Sequence, residues 1–497
     1  MSSQFIYISI TLLYVAVIFY VGWAYSKKTK NSDDFMIGGH DMGWFLTLCA
    51  FAATWVSATS MIGGPGFLFR WGYSYMLYGP IAWFIGSATP MIALAYKLRR
   101  SPTKTVPEFM SKRYGSVNLQ AFSALIMVYG FILYVVIQMK GFAIIMSAML
   151  DLPYSWGVWL VAIMVLYTTV LGFKSVAATD VVNFACLTFG AVIGAIVILN
   201  LVGGFSAMNA KAALIDTVPM IKEGAKIAAT IPGALLHPTS MGTYTPLYFF
   251  GIFLAMGLGG AASPQYAVRM LAAKNVKIAV YMAGLSVLLM SVVYFSTTVI
   301  GIGSRVLIPT LPAGTDQDWI YPLLAVKYMY PAIGALILVG IAAAAVSTAN
   351  AQLLLVATST IYDIYRNLFD KNMPEAKLLK WTKIAVFLTG ILCMIITLSP
   401  PPVILQMGAY VWGLFGAVFF IPLWGGCYWK RATRQGAIAS VVGGAVVYLV
   451  WDLTIGAKPT HPVVFGMLAS LILFIVVSKL TPPMDKKFTD PYFTEDF

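Results

Sequence analysis

Residues 342–350 read Ala-Ala-Ala-Ala-Val-Ser-Thr-Ala-Asn and lie at the centre of a long apolar segment. Ser347 and Thr348 therefore place two adjacent hydroxyls at the depth of the lipid tails, where lipid offers no hydrogen-bond partner. A second unusual segment lies upstream, where Ala53-Thr-Trp-Val-Ser57 is followed by Gly63-Gly-Pro-Gly66. The glycines and the proline predict an interruption of a membrane helix. One interrupted helix beside one hydroxyl-bearing helix is an arrangement with which membrane transporters bind cations.

The composition excludes a soluble globular protein, because 60% of the 497 residues are hydrophobic and only 10% are charged, with a mean hydropathy of +0.84. Apolar residues occur in blocks of about 20, the length that spans the hydrocarbon core of a bilayer. The sequence therefore predicts an all-α integral membrane protein with about 13 transmembrane helices. The predicted spans are 5–25, 43–69, 73–96, 118–149, 154–172, 178–201, 243–268, 278–302, 331–362, 384–399, 403–428, 435–453 and 461–478.

The basic residues are distributed asymmetrically between the predicted loops. Of the 32 Lys and Arg residues, 24 lie in the loops on one side of the membrane, seven lie on the other side and Lys140 lies within a span. Such asymmetry orients a multi-pass protein with its Lys- and Arg-rich loops in the cytoplasm. It predicts an external N-terminus and a cytoplasmic C-terminus, in the inner or plasma membrane of the cell. The net charge of +14 then reflects membrane topology, and we expect no nucleic-acid partner.

The sequence shows no motif for ATP-driven transport or for catalysis. Its four cysteines lie singly in apolar segments, and its three histidines share no metal-ligand spacing. It has no HExxH motif, no GxSxG motif and no glycine-rich nucleotide-binding loop. Its spans contain no converging catalytic pair, and they lack the repeated pore loop or charged ring that is typical of a channel. A membrane-embedded enzyme and an ion channel are therefore the disfavoured alternatives from other functional classes.

Two interrupted helices occupy matching positions in the chain. The second contains Met256-Gly-Leu-Gly-Gly-Ala-Ala-Ser-Pro264, and each begins a series of five predicted spans. Because five crossings reverse the chain direction, the two series are predicted to form an inverted repeat with a binding site at the two breaks. Close packing of glycine-rich helices is the alternative explanation. The predicted organisation is an N-terminal span and loop (1–42), a first repeat (43–201), an extracytoplasmic loop (202–242), a second repeat (243–428), and two C-terminal spans with a cytoplasmic tail (429–497).

The ninth predicted span carries the oxygen atoms of a candidate sodium site. Ala344, Ser347 and Thr348 lie at i, i+3 and i+4, on one helix face. Sodium is a hard cation, which we expect to take several oxygen ligands as calcium does. The interrupted helix adds the carbonyls of Ala53 and Val56, which the interruption frees from helical hydrogen bonds. Together with the two hydroxyls and the Ala344 carbonyl they make five oxygen ligands. These five residues are the predicted sodium ligands, and hydroxyls that bond only to their own helix are the alternative.

Three stretches of the chain, 53–66, 344–354 and 431–444, resemble the sodium:solute symporter family. That family includes the sodium-coupled proline, pantothenate, sugar and sialic acid carriers, and the resemblance covers essentially the whole chain. It implies a LeuT-type core of five plus five helices with flanking helices. It also implies the same five sodium ligands that the oxygen pattern predicts.

Asp180 begins the sixth predicted span at its cytoplasmic end, where an acidic residue can also serve as an interfacial cap. The family resemblance implies that Asp180 lies along the inner sodium pathway. It also implies that some members bind a second sodium there with two hydroxyls of the ninth span. Those two positions hold Asn350 and Ala351 here, so only Asn350 keeps a side-chain oxygen. We therefore expect one sodium per transport cycle.

Lys140 is the basic residue within a predicted span. It lies about 15 Å below the outer end of that span at 1.5 Å per residue, too deep to reach the membrane surface easily. Two interpretations are open: its ammonium group binds an anionic substrate, or it pairs with an acidic or carbonyl group of the protein. Gln138 lies near it on the same helix. The other candidate substrate-lining residues are Ser57, Met256, Gly260, Ser263, Gln406 and Tyr410.

The predicted function is sodium-coupled import of a small organic solute by alternating access, without catalysis. Short motifs at 60–66, 347–354 and 460–464 resemble the pantothenate permease branch, so a carboxylate such as pantothenate is the predicted substrate. Another monocarboxylate, an amino acid or a neutral solute are the alternatives. Na+ is the only ion we expect the protein to require. Its expected partners are the solute and the bilayer, and no obligate protein partner is predicted.

Overall fold

The structure is a computed structural model that describes residues 3–493 except 75, 77–78, 102, 216–232, 239–244, 309–310, 312–314, 400–402 and 457–459. Part of the predicted extracytoplasmic loop 202–242 therefore lies outside the described residues. Within these limits all regular structure is helical, with one isolated β-bridge between Met42 and Ala273. The all-α prediction is confirmed.

The helices follow one another through short connections. The first half of the chain forms α1 (Ser3–Ser26), α2 (Ser32–Ile37), α3 (Trp44–Trp55), α4 (Gly64–Trp71), α5 (Ala88–Leu98), α6 (Val106–Tyr114), α7 (Val117–Leu150), α8 (Tyr154–Val170), α9 (Phe173–Val202) and α10 (Phe205–Ala213). The second half forms α11 (Pro246–Leu254), α12 (Pro264–Ala272), α13 (Val276–Leu307), α14 (Ile320–Tyr328), α15 (Pro331–Thr358), α16 (Asn367–Phe369), α17 (Glu375–Leu398), α18 (Ile404–Phe415), α19 (Ile421–Tyr428), α20 (Arg434–Thr454), α21 (Val463–Leu480) and α22 (Lys486–Phe493). Short 3-10 helices lie at Gly38–His40, Ala234–Leu236 and Gln317–Trp319, and π-helical segments lie at Thr59–Gly63, Ala82–Ser87, Ala255–Gly259, Ser359–Arg366 and Gly416–Phe420.

The membrane-spanning helices that the structure describes agree in position with the predicted blocks. In the described part of the chain, ten helical stretches are long and apolar enough to cross a bilayer, and one bent pair brings the number to eleven. Helix α8 is apolar but shorter, and the predicted span 73–96 includes residues outside the described part. The chain is therefore a multi-pass membrane protein, while the number thirteen stays a prediction.

The first interrupted helix breaks earlier than the glycines and the proline suggest. Helix α3 ends at Trp55, Val56 is extended (φ −82°, ψ 120°), and the helix that resumes at Thr59 is bent by 50° relative to α3. Pro65 lies inside the helix that resumes at Thr59, just after the π-helical segment Thr59–Gly63. Gly66 has a different role, because a Cβ atom there would collide with the backbone carbonyl of Gln317.

The second interrupted helix confirms the predicted break near Ser263. Helix α11 runs into the π-helical segment Ala255–Gly259, and Ser263 is extended (φ −64°, ψ 127°) before α12 begins at Pro264. The π-helical segment lies close to Ala82–Ser87, where the Cα atoms of Gly257 and Gly86 face each other without side chains between them. Both breaks therefore lie inside the helix bundle.

Helix α15 lies at the centre of the bundle. Its residues from Ile337 to Thr358 are all buried, and it packs against α7, α9 and α3. A helix enclosed by other helices has no lipid-facing stripe, which explains why its sequence is apolar on every face. The Ser347 and Thr348 hydroxyls are therefore enclosed by protein.

Candidate functional site

The break after α3 leaves two carbonyl groups without their usual helical partners. In a continuous helix the N–H of Ser57 would donate to the carbonyl of Ala53, and the N–H of Ser60 to the carbonyl of Val56. Here the N–H groups of Ser60 and Met61 both donate to the Ser57 carbonyl, at 3.0 and 2.9 Å. The broken backbone thus supplies freed carbonyl oxygens at Ala53 and Val56.

The hydroxyls of α15 meet these two carbonyls. Ser347 Oγ donates to the Ala53 carbonyl at 2.9 Å and also lies 3.1 Å from the Ala344 carbonyl in its own helix. Thr348 Oγ1 donates to the Val56 carbonyl at 3.4 Å. All five residues are fully buried. The structure therefore brings the five predicted sodium ligands together, and the hydroxyls bond to the neighbouring helix as well as to their own.

The chemistry of this donor set fits a hard monovalent cation. It consists of three carbonyl oxygens and two hydroxyl oxygens, which carry dipoles but no net charge. Hard cations prefer such oxygen ligands, whereas zinc and related metals prefer imidazole and thiolate. Among the described residues, no group of three or more His, Cys, Asp or Glu residues is placed to hold a metal ion. Sodium as a transported ion suits these ligands.

Helix α7 supports the other side of the same break. Gln138 Oε1 accepts a hydrogen bond from the backbone N–H of Ala58 at 2.8 Å. Tyr134 Oη lies 3.3 Å from Ser57 Oγ and accepts from Thr59 Oγ1 at 3.2 Å. Gln138 Nε2 is buried and has no hydrogen-bond partner in the described part of the chain. The break therefore presents two carbonyls to α15 and the Ala58 N–H to α7.

Lys140 forms an ion pair within the protein. Its Nζ lies 2.8 Å from Asp318 Oδ2 and 3.2 Å from Asp316 Oδ2. Lys140 and Asp318 are both buried, at 3% and 0% exposure. Of the two interpretations of Lys140, the structure shows the protein ion pair. The inference from this residue to an anionic substrate therefore loses its premise, because the ammonium group already has carboxylate partners.

Asp180 and Asn350 lie in the interior but bond to different groups. The Asp180 carboxylate lies 3.5 Å from the Arg269 guanidinium of α12, and both side chains are buried. Asn350 Oδ1 accepts from Thr169 Oγ1 at 3.4 Å. A buried location with a cationic partner differs from the solvated interfacial cap that was the alternative for Asp180.

Only two of the predicted substrate-lining residues lie around the same cavity in the described part of the chain. Met256 and Gln406 line one cavity of about 30 Å³, together with Phe67, Tyr248, Phe249, Ile252, Leu405 and Ala409. Such a volume has room for about two water molecules. Gln406 is exposed, so the cavity opens to the surface, and an organic solute needs far more space than it offers.

The remaining candidates lie outside that cavity. Gly260 lies against Trp83, so that a Cβ atom there would collide with the indole ring. Ser263 Oγ is buried and finds no hydrogen-bond partner among the described residues. Tyr410 Oη lies 3.2 Å from the hydroxyl of Tyr129, a partly exposed residue. Tyr410 is therefore not among the residues that line the cavity with Met256 and Gln406.

Comparison with known proteins decides the family. The sequence profile of the sodium:solute symporter family matches residues 35–444. The chain belongs to the sodium:solute symporter family. This symporter is 29% identical over 494 residues to the osmoregulated proline transporter OpuE of Bacillus subtilis, covering 96% of this chain and 95% of the relative. It is 28% identical over 477 residues to the sodium/pantothenate symporter of Escherichia coli, covering 93% and 94% of the two chains.

Solved structures agree on the fold of the symporter. A sodium-coupled sialic acid symporter in a substrate-bound, outward-open state has a TM-score of 0.80 at 19% identity, covering 97% of this chain and 98% of the other. MhsT in complex with L-phenylalanine has a TM-score of 0.53 at 14% identity, covering 88% and 98%. Family and structural neighbours are secondary transporters, so the prediction that this chain is a secondary transporter and not an enzyme is confirmed.

Several residues of the site were not predicted. Tyr134 lies one helical turn before Gln138, and that i, i+4 spacing is a signal that could have identified it. Asp318 lies in the connection between two predicted spans, far from Lys140 in the sequence. The sequence signal for Asp318 was only indirect: a lysine buried in a span requires an acidic partner, but nothing in the sequence says which residue it is. Arg269, which faces Asp180, follows the second break by less than two helical turns and carries no distinguishing motif.

Proposed function

We propose that this symporter carries a small organic solute into the cell together with sodium, by alternating access. Sodium is held by the carbonyls of Ala53, Val56 and Ala344 and by the hydroxyls of Ser347 and Thr348. The observation that carries the proposal is the direct contact of both hydroxyls with carbonyls that the broken α3 has released. Membership of the sodium:solute symporter family supports sodium as the coupling ion.

Sodium at these residues would join two elements that we assign to different repeats. Helix α3 opens the first proposed repeat, 43–201, and α15 lies in the second, 243–428. The two interrupted helices at matching positions support this inverted repeat. A ligand shifts a conformational equilibrium only by its difference in affinity between the two states. Sodium therefore favours the conformation in which α3 and α15 stay close.

The proposed substrate is a small carboxylate, with pantothenate as the first candidate. Relatives at 26–29% identity are named for proline and for pantothenate, which are both carboxylic acids. The positive end of the half-helix that begins at Thr59 suits an anionic group. Gln138 Nε2 and Ser263 Oγ add buried polar atoms near the two breaks. Lys140 takes no part in this proposal because of its ion pair.

We also propose one sodium per cycle, and the predicted topology. Asp180 has the Arg269 guanidinium as its cationic neighbour, and Ala351 offers no side-chain ligand beside Asn350. The charge asymmetry of the loops supports an external N-terminus and a cytoplasmic C-terminus in the cell membrane.

Uptake by the purified protein in proteoliposomes tests the proposal. An inward sodium gradient should drive accumulation of labelled pantothenate, and replacement of sodium by choline should abolish it. Unlabelled pantothenate, L-proline and a neutral amide of pantothenate then compete against the label. Equal uptake in sodium and choline would refute sodium coupling. Stronger competition by proline than by pantothenate would assign an amino acid as the substrate.

A further inference from the structure

Helix α22 follows the last span and folds back onto the end of the helix bundle that the charge asymmetry assigns to the cytoplasm. Its Thr489 side chain is buried, and its Phe488 ring packs at Gly115, where α6 ends in a left-handed turn (φ +64°). A Cβ atom at Gly115 would come within 2.7 Å of the Phe488 ring. Glycine at this position therefore makes room for α22 as well as for the turn.

The end of α22 contacts both α5 and α6. The Tyr492 ring meets the Phe109 ring of α6 edge to face, with the ring centroids 5.4 Å apart. The Tyr492 carbonyl accepts a hydrogen bond from Lys97 Nζ of α5 at 3.4 Å. The Arg113 guanidinium of α6 lies 5.6 Å from the centre of the Phe493 ring, within the range of a cation–π interaction. Helix α22 is therefore held by aromatic, polar and charged contacts together.

Helix α19 lies beneath the same end of α22. Its Cys427 is only 1% exposed and lines a cavity of about 10 Å³, which has room for about one water molecule. The other residues around this cavity come from α22 and from the end of α5 and the connection after it, and they are Pro491, Tyr492, Lys97, Arg100 and Ser101. Helix α22 therefore covers the thiol of Cys427.

Helices α6 and α19 are bonded directly beneath α22. Arg113 Nε donates to the Gly426 carbonyl at 2.9 Å, and Arg113 Nη2 donates to the Trp429 carbonyl at 3.3 Å. Tyr114 Oη donates to the Pro422 carbonyl at 2.6 Å. We call the meeting point of α5, α6 and α19 the junction. Helix α22 adds a second layer of contacts across this junction.

We propose that α22 is an autoinhibitory strap, which holds α19 against α5 and α6 and slows the step in which they separate. Helices α5 and α6 belong to the first proposed repeat, and α19 belongs to the second. Transporters with inverted repeats change state by moving one group of helices against the other, so a strap across both slows transport. The inhibition rests on the proposed transport function. Cation–π and ionic contacts at a solvated surface are individually weak, so α22 docks reversibly.

Labelling of Cys427 with a charged maleimide in the purified protein tests whether α22 covers the junction. The background lacks the other native cysteines, Cys49, Cys186 and Cys393. Removal of residues 486–497, or Tyr492→Ala in the full chain, should speed labelling roughly tenfold, because each uncovers the thiol. Tyr492→Phe keeps the ring contact and should label as slowly as the wild type. Unchanged labelling after both removal and Tyr492→Ala would overturn the proposal.

A second reporter shows whether α19 moves away from α5 and α6. Leu423 is fully buried and lies one helical turn before Cys427, on the same face of α19. Leu423→Cys, in a chain without the four native cysteines, therefore reports separation of the helices. Removal of residues 486–497 should speed its labelling roughly tenfold as well. Faster labelling at Cys427 alone would show a cover that does not hold the helices, and the strap would be refuted.

Phe369→Ala is the matched control for loss of an aromatic ring. Phe369 is an exposed residue of α16 that packs against Tyr365, away from the junction. This variant should leave the labelling of both reporters at the wild-type rate. Acceleration as large as that of Tyr492→Ala would mean general loosening of the protein and would count against the strap.

Uptake into proteoliposomes separates inhibition from simple stabilisation. Removal of residues 486–497 should raise the maximal rate of sodium-driven uptake about twofold or more, because a restrained conformational step limits the cycle. Loss of a merely stabilising helix would lower that rate, so an unchanged or lower rate would refute autoinhibition. Labelling requires no transport. Faster labelling at position 423 without sodium-driven uptake in any variant would therefore keep the strap and refute the symport proposal.

Discussion

Removal of the two hydroxyls of α15 is the most direct perturbation of the proposed sodium site. Ser347→Ala and Thr348→Ala each delete one oxygen ligand and leave the helix backbone in place. A hydrogen bond or ligand contact to a charged group contributes about 1.5–3 kcal/mol. At about 1.4 kcal/mol per factor of ten, the sodium concentration for half-maximal uptake should rise roughly 10- to 150-fold.

The structure predicts an order for the two variants. Ser347 Oγ lies within 3.1 Å of two carbonyls, those of Ala53 and Ala344, whereas Thr348 Oγ1 contacts the Val56 carbonyl at 3.4 Å. Ser347 therefore connects the two helices more closely, and Ser347→Ala should have the larger effect.

The assay is uptake into proteoliposomes over a series of external sodium concentrations, with choline keeping the ionic strength constant. Ser440→Ala is a matched control, because Ser440 is also fully buried and bonds across helices to Ser470 Oγ at 2.7 Å, outside the proposed site. Its sodium dependence should stay that of the wild type. If both site variants also keep the wild-type sodium dependence, the hydroxyls serve packing alone and the site assignment is wrong.

Three further predictions follow from the same contacts. Gln138→Leu leaves the Ala58 N–H without its partner, a loss of about 1–3 kcal/mol, and should raise the half-saturating solute concentration about tenfold in uptake assays. Lys140→Met should change competition by an acid and by its neutral amide to the same extent, because the lysine pairs with protein carboxylates and not with the solute. Arg269→Gln should lower the melting temperature of the purified protein, because the buried Asp180 carboxylate loses its cationic partner at a cost of about 3–5 kcal/mol. Asp180→Asn in the same chain removes that charge and should restore the melting temperature.

The helix positions and the hydroxyl–carbonyl contacts were predictable because they follow from local patterns. Apolar blocks of bilayer length mark the spans, and the i, i+3, i+4 spacing places Ala344, Ser347 and Thr348 on one face. The break was predicted in the right helix but several residues late. Pro65 follows a π-helical segment within the helix that resumes at Thr59, so the proline does not mark the break itself.

Local sequence patterns could not predict the ion pair of Lys140. Asp318 is separated from Lys140 by more than a third of the chain, and it belongs to a segment whose aromatic and charged residues are typical of the membrane surface. Only tertiary packing places that segment against α7. The small volume of the cavity was equally unpredictable, since the sequence defines a transport cycle and not the conformation adopted within it.

The break at residues 56–58 explains how one helix can serve both sodium and solute under the proposed function. The Val56 carbonyl faces Thr348 of α15, and two residues later the Ala58 N–H faces Gln138 of α7. Under the proposed function the cation binds the Val56 carbonyl, and the solute contacts Gln138, whose Oε1 accepts from the Ala58 N–H. Because both ligands orient the same few peptide groups, binding of one arranges the groups that the other needs. Coupling of this kind is reciprocal, so solute should raise the affinity for sodium by the same factor as sodium raises the affinity for solute.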